Sequence, residues 1–159
     1  MNLSVRIYVD ADACPGVIKD IVIRAANNRK IQTIFVANKV LLLPVSEFLR
    51  QETVEAGLDK ADAFIAEHAL ASDLVVTADI PLAHQLVKKG IVAINPRGLI
   101  YTEDNIGDRI SVRDLLTDLR DSGEITGGPK PFGDKDKREF ASSFDRVLTQ
   151  LLRRFPSRD

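Results

Sequence analysis

Cysteine and histidine are scarce in this chain, with one cysteine, Cys14, and two histidines, His68 and His84. A lone cysteine excludes an internal disulfide framework, and two histidines without a cysteine cluster do not make a structural zinc site. Also missing are a long apolar span and a basic, cleavable leader. The sequence therefore predicts a soluble, cytoplasmic protein with no membrane segment. A strong charge of one sign is absent as well, since 22 Lys/Arg stand against 23 Asp/Glu for a net charge of −1. The distribution is uneven. Residues 127–159 hold eight Lys/Arg against five Asp/Glu, a balance of +3, which leaves −4 for the rest. Such a basic tail either meets a phosphate backbone or forms a solvated helix face. With 45% hydrophobic residues over 159 positions, the chain can bury a real core, and residues 1–159 are expected to form a single domain.

What the chain does have is aspartate at the ends of apolar runs. Ile7-Tyr8-Val9 is a short strand-like run that leads directly into Asp10-Ala11-Asp12-Ala13-Cys14-Pro15, which reads as a buried strand feeding a helix. In open parallel sheets, strand ends and helix N-termini converge on one crevice at that edge. Two carboxylates roughly 4 Å apart at an effective dielectric of ~20 repel by about 4 kcal/mol. A divalent cation, a shared proton or a basic partner relieves that cost. The plainer alternative is that Asp12 caps the helix that opens near Pro15 while Asp10 is solvated.

Along the chain, Val17, Ile18, Ile21, Val22 and Ala25 form the stripe of a first helix, ended by Asn27-Asn28. Residues 32–38 predict a second strand with Asn38 at its exit, and 51–56 a third, closed by Gly57. Between them, residues 39–49 give no regular signal: Leu41-Leu42-Leu43 is apolar, Pro44 breaks the run, and Ser46 suits a turn. Residues 60–71 predict a helix with Asp59 as N-cap and an Ala61, Ile65, Ala69 stripe. Asp62 sits in its first turn, where a capping role competes with a functional one. Residues 73–79 form another buried strand ending in aspartate, Asp79, followed by Pro81 and a helix closed by Gly90. A fifth strand, 91–94, exits into Asn95-Pro96-Arg97-Gly98. Alternating strands and helices imply right-handed crossovers and an α/β sandwich, with Asp10, Asp12, Asn38, Asp79 and Asn95 on one edge.

These residues carry a resemblance. Asp10, Asp62-Ala63-Phe64-Ile65-Ala66 and Val75-Val76-Thr77-Ala78-Asp79 look like the acidic motifs of PIN-like nuclease domains. More closely, YVDADACP from Tyr8, VAN from Val36, GLDKADAFI from Gly57, VTADIPLA from Val76, NPRG from Asn95 and TGGPKPF from Thr126 are similar to the YaiI/YqxD family of bacterial proteins, itself PIN-like. The resemblance implies a PIN-like, Rossmann-like three-layer sandwich with a mainly parallel five-stranded sheet. It also implies a nuclease, most plausibly acting on RNA, with Mg²⁺ or Mn²⁺ held by Asp10, Asp12, Asp62 and Asp79. One departure stands out. Many PIN nucleases carry a further acidic residue between the first strand and the Asp62-type helix; Glu47, Glu52 and Glu55 are motif-free candidates here, and Asp12 or Asp59 are the alternatives.

Further on, Ser111 predicts the start of a helix with Val112, Leu115, Leu116 and Leu119 at core spacing. The Gly/Pro-rich loop 124–133 lacks a P-loop ending, so it reads either as a connector or as a stiffened arm that brings Lys130 to a substrate phosphate. The helix from 134 to 155 carries Phe140, Phe144, Val147, Leu148, Leu151, Leu152 and Phe155, a stripe that packs on the body or forms a homodimer. Cys14 reads as a buried structural thiol, and His68 and His84 as helix-surface or core-rim residues. Asp10-x-Asp12 also resembles the nucleophile and acid pair of haloacid-dehalogenase-like phosphatases, although Cys14 departs from that motif. The predicted function is metal-dependent phosphodiester hydrolysis, with Asn38 and Asn95 orienting the substrate and Arg97 and Lys130 neutralising phosphate. The alternatives are that phosphatase and a non-catalytic metal-, RNA- or partner-binding module.

Overall fold

The computed structural model describes residues 4–57, 59–107 and 131–156. The predicted helix at 111–121, the first part of the Gly/Pro loop and Lys130 lie outside the described residues. Five strands form the sheet: β1 (Ile7–Asp10), β2 (Thr33–Ala37), β3 (Leu49–Thr53), β4 (Leu74–Val76) and β5 (Val92–Ile94). Their order is β3-β2-β1-β4-β5 and every neighbouring pair is parallel. Helices α1 (Gly16–Arg29), α2 (Lys60–His68) and α3 (Ile80–Lys88), and the C-terminal helix Asp134–Arg154, cover the two faces.

Strand alternation divides the core. Ile7, Val9, Phe35, Leu74 and Val76 face one side, against Ile18 and Val22 of α1 and Phe140, Phe144 and Leu148 of the C-terminal helix. Tyr8, Ile34, Val36, Val75 and Ala93 face the other, against Ile65 of α2 and Leu82 and Leu86 of α3. The result is the α/β three-layer sandwich expected of alternating buried strands and amphipathic helices. The apolar stripe of the C-terminal helix is thus consumed by the body. Its docking is close: a Cβ on Gly98, at φ +94°, would lie 2.6 Å from the Glu139 backbone carbon, so the Asn95-Pro96-Arg97-Gly98 turn needs glycine there.

Several boundaries differ from the sequence pattern for local reasons. Helix α1 runs past Asn27-Asn28 to Arg29, and Lys30 stops it in the left-handed conformation, φ 57°, with its N–H on Ala26 O. Strand β3 starts two residues early and ends at Thr53, because the apolar residues Leu41 and Leu43 are drawn onto the core while Gln51 accepts from Leu41 N–H and donates to Lys39 O. Helix α2 stops at His68, since buried Asp73 accepts from Leu70 N–H at 2.8 Å and pairs with Arg6 at 2.9 Å. Among the described residues, no helix is long and apolar enough to cross a membrane.

Candidate functional site

The chain passes from β1 outward to β2 and β3, then returns to place β4 on the other side of β1. The β1/β4 boundary is therefore the topological switch point, where strand ends open a crevice. Asp10 ends β1, and Thr77 and Asp79 follow β4. They are wired together. The Thr77 hydroxyl donates to Asp10 Oδ2 at 3.0 Å and accepts from Asp79 N–H at 3.0 Å. Asp79 Oδ1 in turn caps α3 by accepting from Leu82 N–H at 2.8 Å. Asp10 and Thr77 are buried, at 7% and 1% exposure. Burial, with Asp79 and Asp12 nearby, raises the Asp10 pKa against the stabilising Thr77 hydrogen bond.

Helix α2 supplies the opposing wall. Asp59 precedes it at φ 62° in the left-handed region, and its side chain makes no cap hydrogen bond. Its carbonyl accepts from Ala63 N–H, but the carboxylate swings away to join Asp62 and Asp79. This corrects the capping role expected of Asp59, for the backbone conformation directs the side chain to the crevice instead. Aspartate tolerates that conformation better than most residues. One oxygen from each of Asp59, Asp62 and Asp79 lies within 4.8 Å of the others. Burial pushes the Asp62 carboxyl up to about 7, helped by its hydrogen bond to Asp79 and by the charges of Asp79 and Asp10. Such closeness is tolerable when a proton or a cation sits among the oxygens.

Does this donor set fit a metal? All three ligand atoms are hard carboxylate oxygens, the type that suits Mg²⁺ or Mn²⁺ rather than zinc. A cation with oxygens at ~2.1 Å separates its ligands by roughly 3–4.2 Å, which small side-chain rotations reach from 4.8 Å. The residues fit.

A crevice of about 320 Å³ joins Asp10, Asp12, Asn38, Glu55, Lys60 and the three clustered aspartates. Asp12 is exposed at its rim and accepts from Asn38 N–H at 2.8 Å, so it fastens the exit of β2. It does not cap α1, whose N-cap is Pro15 without a side-chain bond. Asn95 is spent on its own turn, accepting at 2.9 Å from the N–H groups of both Arg97 and Leu99. Arg97 pairs with Asp136 at 2.8 Å and lies over the Phe132 ring. Of the motif-free glutamates, Glu55 lines the crevice, while Glu52 lies within reach of Arg50. Cys14 is buried and its thiol is pushed up to about 12 by burial, which leaves it inert. His68 is exposed and stacks on Phe64.

Sequence reasoning passed over Thr77 and Lys60. The Thr-x-Asp spacing at a strand end was the available signal for the first, since short hydroxyl side chains bond N–H groups two residues on. Lys60 stood inside the motif that starts at Gly57, between Asp59 and Asp62, but carried no chemical signal of its own.

Comparison with known proteins identifies the family. Residues 8–150 match the family described as "Uncharacterized BCR, YaiI/YqxD family". A UPF0178 protein of Myxococcus xanthus is 48% identical over 151 residues, covering 95% of this chain and 99% of the relative. A UPF0178 protein of Trichlorobacter lovleyi is 52% identical over 147 residues, with 92% and 96% covered. UPF0178 protein DP1304 of Desulfotalea psychrophila is 52% identical over 146 residues, with 92% and 99% covered. No solved structure matches the chain. A family match over most of the length, with relatives near half identity across their whole length, places the chain in the YaiI/YqxD family.

Proposed function

We propose that this protein is a divalent-metal-dependent nuclease that hydrolyses phosphodiester bonds, with RNA as its substrate. The observation that carries this reading is the convergence of Asp59, Asp62 and Asp79, with oxygens within 4.8 Å, in a crevice at the switch point of the sheet. Asp59, Asp62 and Asp79 would hold Mg²⁺ or Mn²⁺, which would supply positive charge to a phosphate oxygen and acidity to a water molecule. The chain's own residues do the rest. Asp79 is fixed through Oδ1 by Leu82 N–H, which leaves its second oxygen for the cation. Asp62 would hold the cation in its ionised form, so its proton would have to leave on binding. Asp10 holds Thr77, and through it the Asp79 backbone, in place. Lys60 lines the same crevice and faces substrate phosphate as a point charge, the role also proposed for Lys130. Asp12 and Asn38 form the rim on the β2 side. The choice of RNA rests on the resemblance to PIN-like nucleases. The phosphatase reading is weaker, because a nucleophilic Asp10 would have to leave the Thr77 hydroxyl and its burial.

The test is cleavage of single-stranded and structured RNA by purified protein with Mn²⁺ or Mg²⁺. Asp62→Asn and Asp79→Asn are each expected to lower the rate by about a hundredfold or more, the scale of losing several kcal/mol of metal-derived stabilisation. Turnover of small phosphomonoesters alone would favour the phosphatase, and metal binding without any turnover the binding module.

A further inference from the structure

Strand β3 ends the sheet, and its outer edge carries a self-complementary pattern. Thr33 N–H donates to Phe48 O, and Val54 N–H to Ala37 O. Residues two apart share a direction, so Phe48, Arg50, Glu52 and Val54 turn their backbone groups to β2. The N–H and C=O groups of Gln51 and Thr53 then point out of the sheet and meet no backbone partner among the described residues, an edge of the kind that proteins usually blunt. On one face of this edge stand Arg50 and Glu52, in register with Ile34 and Val36. On the other, the Gln51 side chain holds Lys39 O and Leu41 N–H. Among the described residues four large apolar side chains are exposed, and three of them, Val40 at 84%, Leu42 and Val45, belong to this adjoining loop.

We propose that β3 pairs with β3 of a second copy of this chain, antiparallel about a two-fold axis at Gln51. Charge complementarity selects that occupant. In this register Gln51 exchanges both backbone hydrogen bonds with its own counterpart, and Arg50 of each copy stands directly across from Glu52 of the other. That position is the close, non-hydrogen-bonded pair, where cross-strand side chains interact most strongly. An isologous contact needs this self-matching, and a random peptide would not supply both charges at the required spacing. Val40 lies on the segment held by Gln51, so the pairing brings it close to the axis on the opposite face and withdraws apolar surface from water. Because the strands run antiparallel across the axis, the two acidic crevices fall at opposite ends of one ten-stranded sheet. The dimer therefore stands or falls separately from the proposed hydrolysis.

Sedimentation of the full-length protein against concentration tests it. The wild-type chain is expected to dimerise, and Arg50→Glu and Glu52→Arg, each placing like charges opposite one another twice, to weaken the dimer by about tenfold or more. An equimolar mixture of the two variants restores opposite charges at both pairs and is expected to recover wild-type affinity as a heterodimer. Effects on the intrachain Arg50–Glu52 contact cannot produce that recovery, and circular dichroism checks that both variants are folded. A wild-type chain that stays monomeric at every concentration, or a dimer indifferent to both reversals, would overturn the proposal.

Discussion

Thr77 sets the terms on which Asp10 can carry charge. Its hydroxyl is the hydrogen bond that opposes the burial of Asp10, and the same oxygen accepts from Asp79 N–H. Thr77→Val keeps the shape and removes both bonds. An acceptor and an N–H lose their shared partner, at a cost of about 1–3 kcal/mol. The expected outcome in urea unfolding is an unfolding free energy lowered by that amount, with a correspondingly lower midpoint, together with weaker Mn²⁺ binding in calorimetry, because Asp79 is no longer fixed from behind. Thr77→Ser keeps the hydroxyl and should lie close to wild type. Equal behaviour of the Val and Ser variants would show that the hydroxyl does not organise the site. The bond to Asp79 N–H was legible in the Thr-x-Asp spacing, but the bond to Asp10 was not, because it joins residues 67 positions apart.

At the scale of elements, strands and helices were legible because buried parallel strands are nearly uniformly apolar and their helices are periodic. The burial of all of β1, β2 and β4 follows from that pattern. So were Asp10 and Asp79, since the strand order that puts β1 beside β4 is the usual one for such sheets. Residues 39–49 were opaque, because Gln51 rather than a local signal holds the loop that leads into β3. Asp59 suited both a helix cap and a substitute site carboxylate, and the choice was not legible, because a capping residue type at a capping position says nothing about φ. Its left-handed backbone permits a sharp separation of effects. Asp59→Gly removes the carboxylate and relieves the strained conformation, whereas Asp59→Ala removes the carboxylate and keeps roughly 1 kcal/mol of strain. Both are expected to weaken Mn²⁺ binding equally, while thermal melts without metal place the Gly variant above the Ala variant. If Asp59→Ala binds Mn²⁺ as wild type does, the third ligand lies elsewhere, and Asp10, Asp12 and Glu55 are the other carboxylates lining the crevice.

For the molecule as a whole, the crevice couples folding to pH and, on the proposed function, would couple it to metal. The Asp62 carboxyl is raised in the folded chain to about 7 from an ordinary value of 3.8, and Asp10 is raised in the same direction. A carboxyl raised by folding binds more protons in the native state than in the unfolded one. Its favourable contribution is complete below the unfolded value and is lost as pH climbs through about 7. Above that, the clustered aspartates repel and a cation would restore the balance, whereas below it an entering cation would first have to displace the Asp62 proton. The metal-free protein should therefore lose stability, relative to Asp62→Asn, between about pH 4 and about pH 7. Mn²⁺ should raise the melting temperature more at about pH 8 than at about pH 5, because binding at the lower pH must first displace the proton. The Asn variant, relieved of one charge, is expected to match or exceed wild-type stability without metal at about pH 8 and to gain little from Mn²⁺, as residues kept for function often cost stability. A wild-type melting temperature indifferent to Mn²⁺ at about pH 8 would mean that the acidic cluster serves something other than a cation.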